Sequence, residues 1–510
     1  MDTIDSADYL IVGGVVIIEA GEDVSAIPEV RIPGQSCIFQ YAEKTALHSN
    51  LGLFVENLKN PQLNWAFTST PQKHADGRII PLPRGKSLGG STNLNFMQLN
   101  RPSANEFNDA FAALGIEGWS YEDLLPYFQK FEKVTKNPET FSAAHMEPEP
   151  SIHGGSGPLE VTAPADTTET RELFFKAMNE FGVKTIPDCA NRNNVGTWNS
   201  FQAIEPTGCT RASADTAYLK PALAKLPNLQ VLSGAYVTRL VLRSSDESEE
   251  VVATGVEYTK GDKTYLVKAN KEVIVCAGAY QTPQILELSG IGNRYPFQVR
   301  YRNLGTCSRC GGQSTQTERK GKFSIVPLSF AVLPADKVMT SEEVVKYKDL
   351  LRQTAAKGGD PIVSKMVDLQ LGWIDKGLAF LEVMESPSFY PTSVQAMPEA
   401  GKDTSPSTWH YNILCRVERP AIDPNFLSED VDMENLLAAC RFVRNFVGTK
   451  VLSEAIVKEV APAIDIDNAE GLREYIKTNF FVVYPSCWNG GDATKGVGRS
   501  CRRQTQSLWN

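Results

Sequence analysis

Three stretches of this chain carry residue types at spacings that could do chemistry. The first is a join. Asp8-Tyr-Leu-Ile-Val-Gly-Gly14 runs straight into Val15-Val-Ile-Ile-Glu-Ala-Gly21. Each half reads as a strand of a dinucleotide-binding βαβ unit. Glu19 stands where an acidic side chain at the end of the second strand accepts both ribose hydroxyls of an adenosine. The turn and helix whose amides would hold a pyrophosphate are absent between the two runs. Parallel neighbours normally need a crossover of about a dozen residues or more. The spacing therefore predicts that the runs are not adjacent parallel strands but one long strand, or a hairpin turning at Gly13-Gly14. An ordinary pair of buried strands would give the same pattern.

The second stretch is Arg84-Gly-Lys-Ser-Leu-Gly-Gly-Ser-Thr-Asn-Leu-Asn95. Adjacent glycines let backbone approach a flat ligand closely. Ser91, Thr92 and Asn95 put short polar groups beside it, although a plain surface loop could hold the same residues. The third is Val273-Ile-Val-Cys-Ala-Gly-Ala-Tyr-Gln-Thr-Pro-Gln-Ile-Leu-Glu-Leu-Ser-Gly-Ile-Gly292. It reads as a strand, a tight Gly turn and a helix opening at Thr282-Pro283, with Pro283 in its first turn.

The elements that must position these residues follow from periodicity. Ser120-Tyr-Glu-Asp123 is a capping-box pattern that opens a helix through Phe128 and Phe131. Residues 153–161 make a turn into a short strand. Residues 228–242 and 264–275 alternate or run apolar, as strands do. Residues 342–356 and 433–447 are amphipathic helices. No internal repeat is present.

Together these stretches resemble both signature segments of the glucose–methanol–choline (GMC) family of FAD-dependent alcohol oxidoreductases, closest to fungal aryl-alcohol-oxidase-like and choline-dehydrogenase-like members. Asn64-Trp65, Pro71-Gln72, Gly118-Trp119-Ser120, Tyr218-Leu-Lys-Pro221, Asn228-Leu-Gln-Val-Leu232 and Pro420-Ala-Ile-Asp-Pro-Asn425 agree with it as well. The resemblance implies an α/β fold, α+β overall. A Rossmann-like FAD domain would be built from discontinuous segments, beside a substrate domain with an antiparallel sheet and helices. On this reading residues 1–325 are the mainly FAD-binding part, with 105–200 partly on the substrate side, and 326–510 the substrate part. The resemblance places FAD contacts on Gly13, Gly14, Glu19, Gly90, Asn95, Val237 and Ala277. It implies a small-molecule alcohol as substrate, oxidised to an aldehyde or ketone by hydride transfer to the flavin.

In the family a His of a C-terminal His-Pro motif removes the hydroxyl proton. Here the histidines are His48, His74, His145, His153 and His410, and none precedes a proline. His153 and His410 fall on structural positions of the family pattern, so no catalytic residue is assigned. A lost general base typically costs about 100- to 10,000-fold in rate. Two segments, 294–319 and 487–510, have no period and differ in texture from their surroundings. Read one nucleotide later with permissive codons, residues 484–510 and 294–317 can encode family-like sequence, with the missing His-Pro spanning the codons of Pro485 and Ser486. Residues 294–319 therefore read as an out-of-frame insert and 479–510 as an out-of-frame tail; 294–319 and about the last two dozen residues are expected to be irregular. The alternative to an alcohol-oxidising flavoenzyme is accordingly an inactive scaffold lacking the pyrophosphate loop and the His. Cys307-Ser-Arg-Cys310 falls inside the first segment and lacks a second ligand pair, so no metal is expected.

Composition sets the outer bounds. The chain has 510 residues, is 42% hydrophobic and 22% charged, and carries a net charge of -9, which argues against a general nucleic-acid binder. Ten cysteines at irregular spacing are no disulfide framework. The first residues, Met1-Asp-Thr-Ile-Asp-Ser-Ala7, are acidic and lack an apolar core. With no apolar run long enough to span a bilayer, the expectation is a cytoplasmic protein without a membrane partner. Oligomeric state is left open.

Overall fold

The computed structural model describes residues 6–480 apart from 13–15, 32–57, 59, 114, 136, 165–168, 209, 246–247, 292–328, 359–360, 387–392, 399–407, 411–419, 457–463 and 466, and also residue 482. The irregular structure expected for 294–319, and for the tail beyond 482, lies outside the described residues.

Six strands form the first sheet: β1 (Ser6–Val12), β2 (Val16–Ile18), β3 (Gln230–Leu232), β4 (Tyr236–Ser245), β5 (Ser248–Lys260) and β6 (Lys263–Val275). Their order is β3-β2-β1-β6-β5-β4. The first four are mutually parallel, while β6, β5 and β4 form an antiparallel meander. The Val- and Ile-rich runs seen in the sequence supply the core: Val16, Ile18, Leu232, Leu240, Val256 and Val267 pack together with Ile285.

One expectation is overturned here. β1 and β2 are parallel neighbours, with Leu10 opposite Val16 and Ile11 opposite Ile17. The long-crossover rule applies when the second strand must start again level with the start of the first. Here β2 is staggered so that it pairs only with the last part of β1. The chain has to recover only the rise of about two residues, roughly 7 Å, while stepping sideways by about 4.8 Å. Three intervening residues can span that. Neither one continuous strand nor a hairpin is formed.

α1 (Gly278–Leu288) follows β6 and buries Tyr280, Gln284 and Ile285. It starts earlier than the sequence suggests, so Pro283 sits in the second turn instead of the first. Ser289, just past its end, accepts a hydrogen bond at Oγ from Leu240 N at 2.8 Å and so fixes the helix against β4.

The second sheet is antiparallel and joins β9 (Ser393–Pro398), β8 (Leu381–Ser386), β7 (Ser329–Leu333) and the strand Gly196–Asn199 in that order. Every residue of β7 is buried, because both faces are covered. Phe330 and Val332 pack with Trp198 on one side. Ala331 and Leu333 meet Leu381, Val383, Phe174 and Phe442 on the other, beneath the helices Glu169–Glu180 and Asp430–Val447. That is why Ser329-Phe-Ala-Val-Leu333 lacks the alternation of a half-exposed strand. The capping box at Ser120 forms as its sequence indicates: Ser120 Oγ donates to Asp123 Oδ2 at 2.6 Å and accepts from Asp123 N at 3.2 Å, opening the helix Tyr121–Phe131.

Candidate cofactor site

Parallel strands deliver their carboxyl ends to one edge, and in open α/β sheets ligands bind outside that edge. Here β1, β2, β3 and β6 end there. Past β2 the ladder continues: Glu19 N donates to Leu232 O at 2.9 Å, and Ala235 N donates to Glu19 O at 2.9 Å. The Glu19 carboxylate accepts from Gly21 N at 2.7 Å. Burial raises its pKa above the usual carboxylate range, against the opposing pull of the Gly21 bond and the Lys86 charge. Val237, buried at the start of β4, follows two residues after Ala235.

The Gly-rich stretch docks on this edge. A Cβ on Gly21 would lie 2.4 Å from the main-chain carbonyl of Lys86. Leu88 N donates to Glu22 O at 3.1 Å, and Glu22 forms a parallel bridge with Ser87. Beyond it, Gly90–Asn93 is a 3₁₀ turn entered through Gly89 at φ +101 and Gly90 at φ +53. Only glycine adopts such angles without strain. Asn95 Oδ1 accepts from Met97 N at 3.1 Å and from Arg211 Nη1 at 2.8 Å.

The start of the same loop reaches α1. The Arg84 guanidinium lies 4.6 Å from the Tyr280 ring centre and donates to Tyr280 Oη at 3.2 Å. Lys86 Nζ lies 4.9 Å from the Trp65 ring centre, and Trp65 packs 5.9 Å from Tyr236. Ala277 is the N-cap of α1 and makes no side-chain cap hydrogen bond, and Gly278 follows at φ +81. One loop thus spans the edge from the end of β2 to the first turn of α1.

Of the residues singled out from sequence, Glu19 and Ala277 stand just past the ends of β2 and β6, Val237 follows the Ala235–Glu19 bond, and Gly90 and Asn95 lie on the loop whose start docks at Gly21. Gly13 and Gly14 lie outside the described residues. Sequence analysis did not find Arg211, which has no motif spacing to mark it. Nor did it connect Arg84 and Lys86 with their aromatic partners, though both lie inside the quoted stretch.

The other scattered agreements also meet. Gln72 Nε2 donates to Asp423 Oδ1 at 2.9 Å, and Phe426 N donates to Gln72 Oε1 at 2.9 Å. His153 is buried between two carboxylates, with Nδ1 2.9 Å from Glu132 and Nε2 3.0 Å from Asp188. Arg101 completes the group, with Nη2 2.7 Å from Glu132. Burial alone would lower the imidazole pKa; the Asp188 and Glu132 bonds outweigh it and hold it above its ordinary value. Together these side chains form one buried charged cluster. His145 is exposed and pairs with Glu172 at 2.8 Å. The side-chain setting of His410 lies outside the described residues.

The GMC oxidoreductase family model matches residues 7–305. The chain is a GMC oxidoreductase. Its fold agrees with that of solved flavoenzymes. An FAD-dependent oxidoreductase from Chaetomium thermophilum superimposes with a TM-score of 0.73 at 19% identity, covering 92% of this chain and 87% of the other. A fungal aryl-alcohol oxidase does so with a TM-score of 0.72 at 18% identity, covering 93% and 88%. Among curated relatives, the dehydrogenase mpl7 of Monascus purpureus is 26% identical over 502 residues, 84% of this chain and 78% of that protein. The oxygen-dependent choline dehydrogenase of Rhizobium rhizogenes is 27% identical over 441 residues, 83% and 74%. A GMC oxidoreductase family protein of Malassezia sympodialis, Mala s 12, is 36% identical over 239 residues, 46% of this chain and 38% of its own length.

The family cofactor is FAD, and the residues present fit it at the adenosine end and beside the loop. An acceptor carboxylate stands at the end of β2, as a ribose requires. Gly90 and Gly278 both hold left-handed backbone with open space where a Cβ would point, as close approach to a ligand needs. β1 ends at Val12 and β2 begins at Val16, and no described helix stands between them. No helix among the described residues is long and apolar enough to cross a membrane.

Proposed function

We propose that this GMC oxidoreductase oxidises a primary alcohol, an aryl alcohol or one of similar size, to the aldehyde. Bound FAD would supply the acceptor for the hydride leaving the carbinol carbon. Glu19 would hold the adenosine ribose through its carboxylate, and Val237 would back the adenosine side from β4. Gly13, Gly14 and Ala277 would be further contacts to the cofactor on this reading. Gly90 and Asn95 would lie beside the flavin, with the glycine backbone flat against the ring and the Asn95 amide offering a polar group. Residues 1–325 would form mainly the FAD side, with 105–200 partly on the substrate side, and 326–510 the substrate side.

The observation that carries this reading is the seating of the Gly-rich loop on Gly21, next to Glu19, at the carboxyl edge of the parallel strands. Two segments distant in sequence make one surface there, and its chemistry suits a dinucleotide. The relatives support an alcohol as substrate, since choline and aryl alcohols, named in two of them, share that group. No general base is assigned.

The test is an FAD titration of the purified chain, followed by flavin absorbance and fluorescence quenching. A stoichiometric flavin spectrum that bleaches on adding an aryl or aliphatic primary alcohol under anaerobic conditions is the expected result. A chain that leaves FAD fluorescence unquenched overturns the reading and marks it as an inactive scaffold.

A further inference from the structure

Arg211 lies in the two-residue strand Thr210–Arg211 and is only 5% exposed. Among the described residues its guanidinium makes four hydrogen bonds, none of them to a carboxylate. Nε donates to Val30 O at 2.9 Å. Nη1 donates to Thr92 O at 3.1 Å, to Asn95 O at 2.7 Å and to Asn95 Oδ1 at 2.8 Å. Thr92 O and Asn95 O are carbonyls at the end of the 3₁₀ turn, where a short helix leaves its last acceptors without internal partners. A second tie runs alongside: Ala214 N donates to Thr92 Oγ1 at 3.0 Å, and Thr92 Oγ1 donates to Gly89 O at 2.5 Å.

We propose that Arg211 is the positioning residue of the Gly-rich loop, fixing the turn Gly90–Asn93 and the Asn95 amide in the shape that receives the flavin. Only a planar guanidinium presents several donors in a fixed fork. That fork is used here to bind the loop to the α-helical turn Pro28–Arg31 through Val30. Burial lowers the Arg211 pKa to about 10, so the group stays charged at neutral pH. Its charge lies against the loop carbonyls of Thr92 and Asn95. An anionic cofactor above the loop would be drawn toward that charge. The proposal rests on the FAD reading above for its purpose, but the ordering of the loop is a property of the chain alone.

The test separates the two. Hydrogen exchange of the amides between Gly85 and Met97 is measured without cofactor in the natural chain, in Arg211→Ala and Arg211→Lys, and in Leu437→Ala. Leu437 is buried in the helix Asp430–Val447, within a core cluster away from the loop. Arg211→Ala is expected to speed exchange across the loop at least tenfold at a temperature well below unfolding. Arg211→Lys is expected to recover part of the protection through one carbonyl, and Leu437→Ala to lower the melting temperature while leaving loop exchange unchanged. FAD affinity is then expected to fall at least tenfold in Arg211→Ala and to hold within twofold in Leu437→Ala. If loop exchange in Arg211→Ala matches the natural chain, or rises no more than in Leu437→Ala, the positioning role is wrong. If the loop loosens as expected but the natural chain takes up no FAD, the positioning role stands and the FAD reading fails.

Discussion

Gly21 and Lys86 meet backbone to backbone: a Cβ on Gly21 would come within 2.4 Å of the Lys86 carbonyl. The atom in the way is main chain, so no rotamer change relieves the clash. Gly21→Ala is expected to force the loop off the end of β2. It should cost about 1–3 kcal/mol of stability, the usual range for overpacking, together with most of the FAD affinity. Urea unfolding of the cofactor-free chain reads the first effect and FAD titration the second. A variant as stable as the natural chain would show that the two segments do not touch in solution.

Glu19 is the acceptor proposed for the ribose, and burial raises its carboxyl pKa. Glu19→Gln keeps the shape and loses the charge. FAD affinity is expected to fall about tenfold, equal to about 1.4 kcal/mol. In the natural chain binding should strengthen as pH rises and the carboxylate ionises, and in Glu19→Gln that rise should vanish. Titrations at several pH values check both.

Glu385 is fully buried in β8, where Thr170 Oγ1 donates to Oε1 at 2.9 Å. Burial pushes its pKa up to about 7, with the Thr170 bond and the nearby Arg171 charge acting against the shift. A raised folded-state pKa means that the stability it contributes is complete below the unfolded value near 4.3 and is lost as pH rises to about 7. Glu385→Gln is expected to flatten that part of the stability profile. Denaturant midpoints of both chains across this window give the comparison.

The His153 cluster titrates with the same sign at one partner and the opposite sign at another. The imidazole pKa is held above its ordinary value, so its stabilisation is present below about pH 6.5 and lost as pH climbs through the raised value. Burial would raise the Asp188 carboxyl, but the His153 bonds and charge outweigh it and leave it lowered. Its contribution is lost as pH falls. The cluster should therefore be weakened at both extremes. His153→Leu leaves Glu132 and Asp188 buried without their shared partner and is expected to cost about 3–5 kcal/mol, as breaking a buried pair does. Thermal unfolding near neutral pH measures the loss.

The amino-acid sequence exposes those parts of the fold that local rules decide. The Ser120 capping box, the strand runs at 228–242 and 264–275 and the helices at 342–356 and 433–447 all follow from spacing and appear where expected. The family resemblance could propose Glu19, Gly90, Asn95, Val237 and Ala277 because each sits in or beside a recognisable stretch. Register was not legible. Whether Val16 lies opposite Leu10 depends on stagger, which no periodicity encodes, and a rule for fully overlapping strands pointed the wrong way. Arg211 was equally hidden. Its partners are carbonyl oxygens, which every residue possesses, so no side-chain pattern in the sequence points from it to Thr92 and Asn95. Pro283 shows the boundary problem on a smaller scale: proline favours a first turn, but helix formation from Gly278 places it one turn later.

The pairing of β1 with β6 joins Ser6 to Lys268 and Val12 to Val275. A ribosome releases the amino-terminal strand long before its principal neighbour exists. At about 5–20 residues per second, the interval is on the order of tens of seconds. Through that time β1 has only β2 beside it, and the edge that β6 will occupy is an open template for any other strand, the situation that makes edges prone to aggregation. Until the hairpins of β4, β5 and β6 have been made, that edge of β1 has no partner within its own sheet.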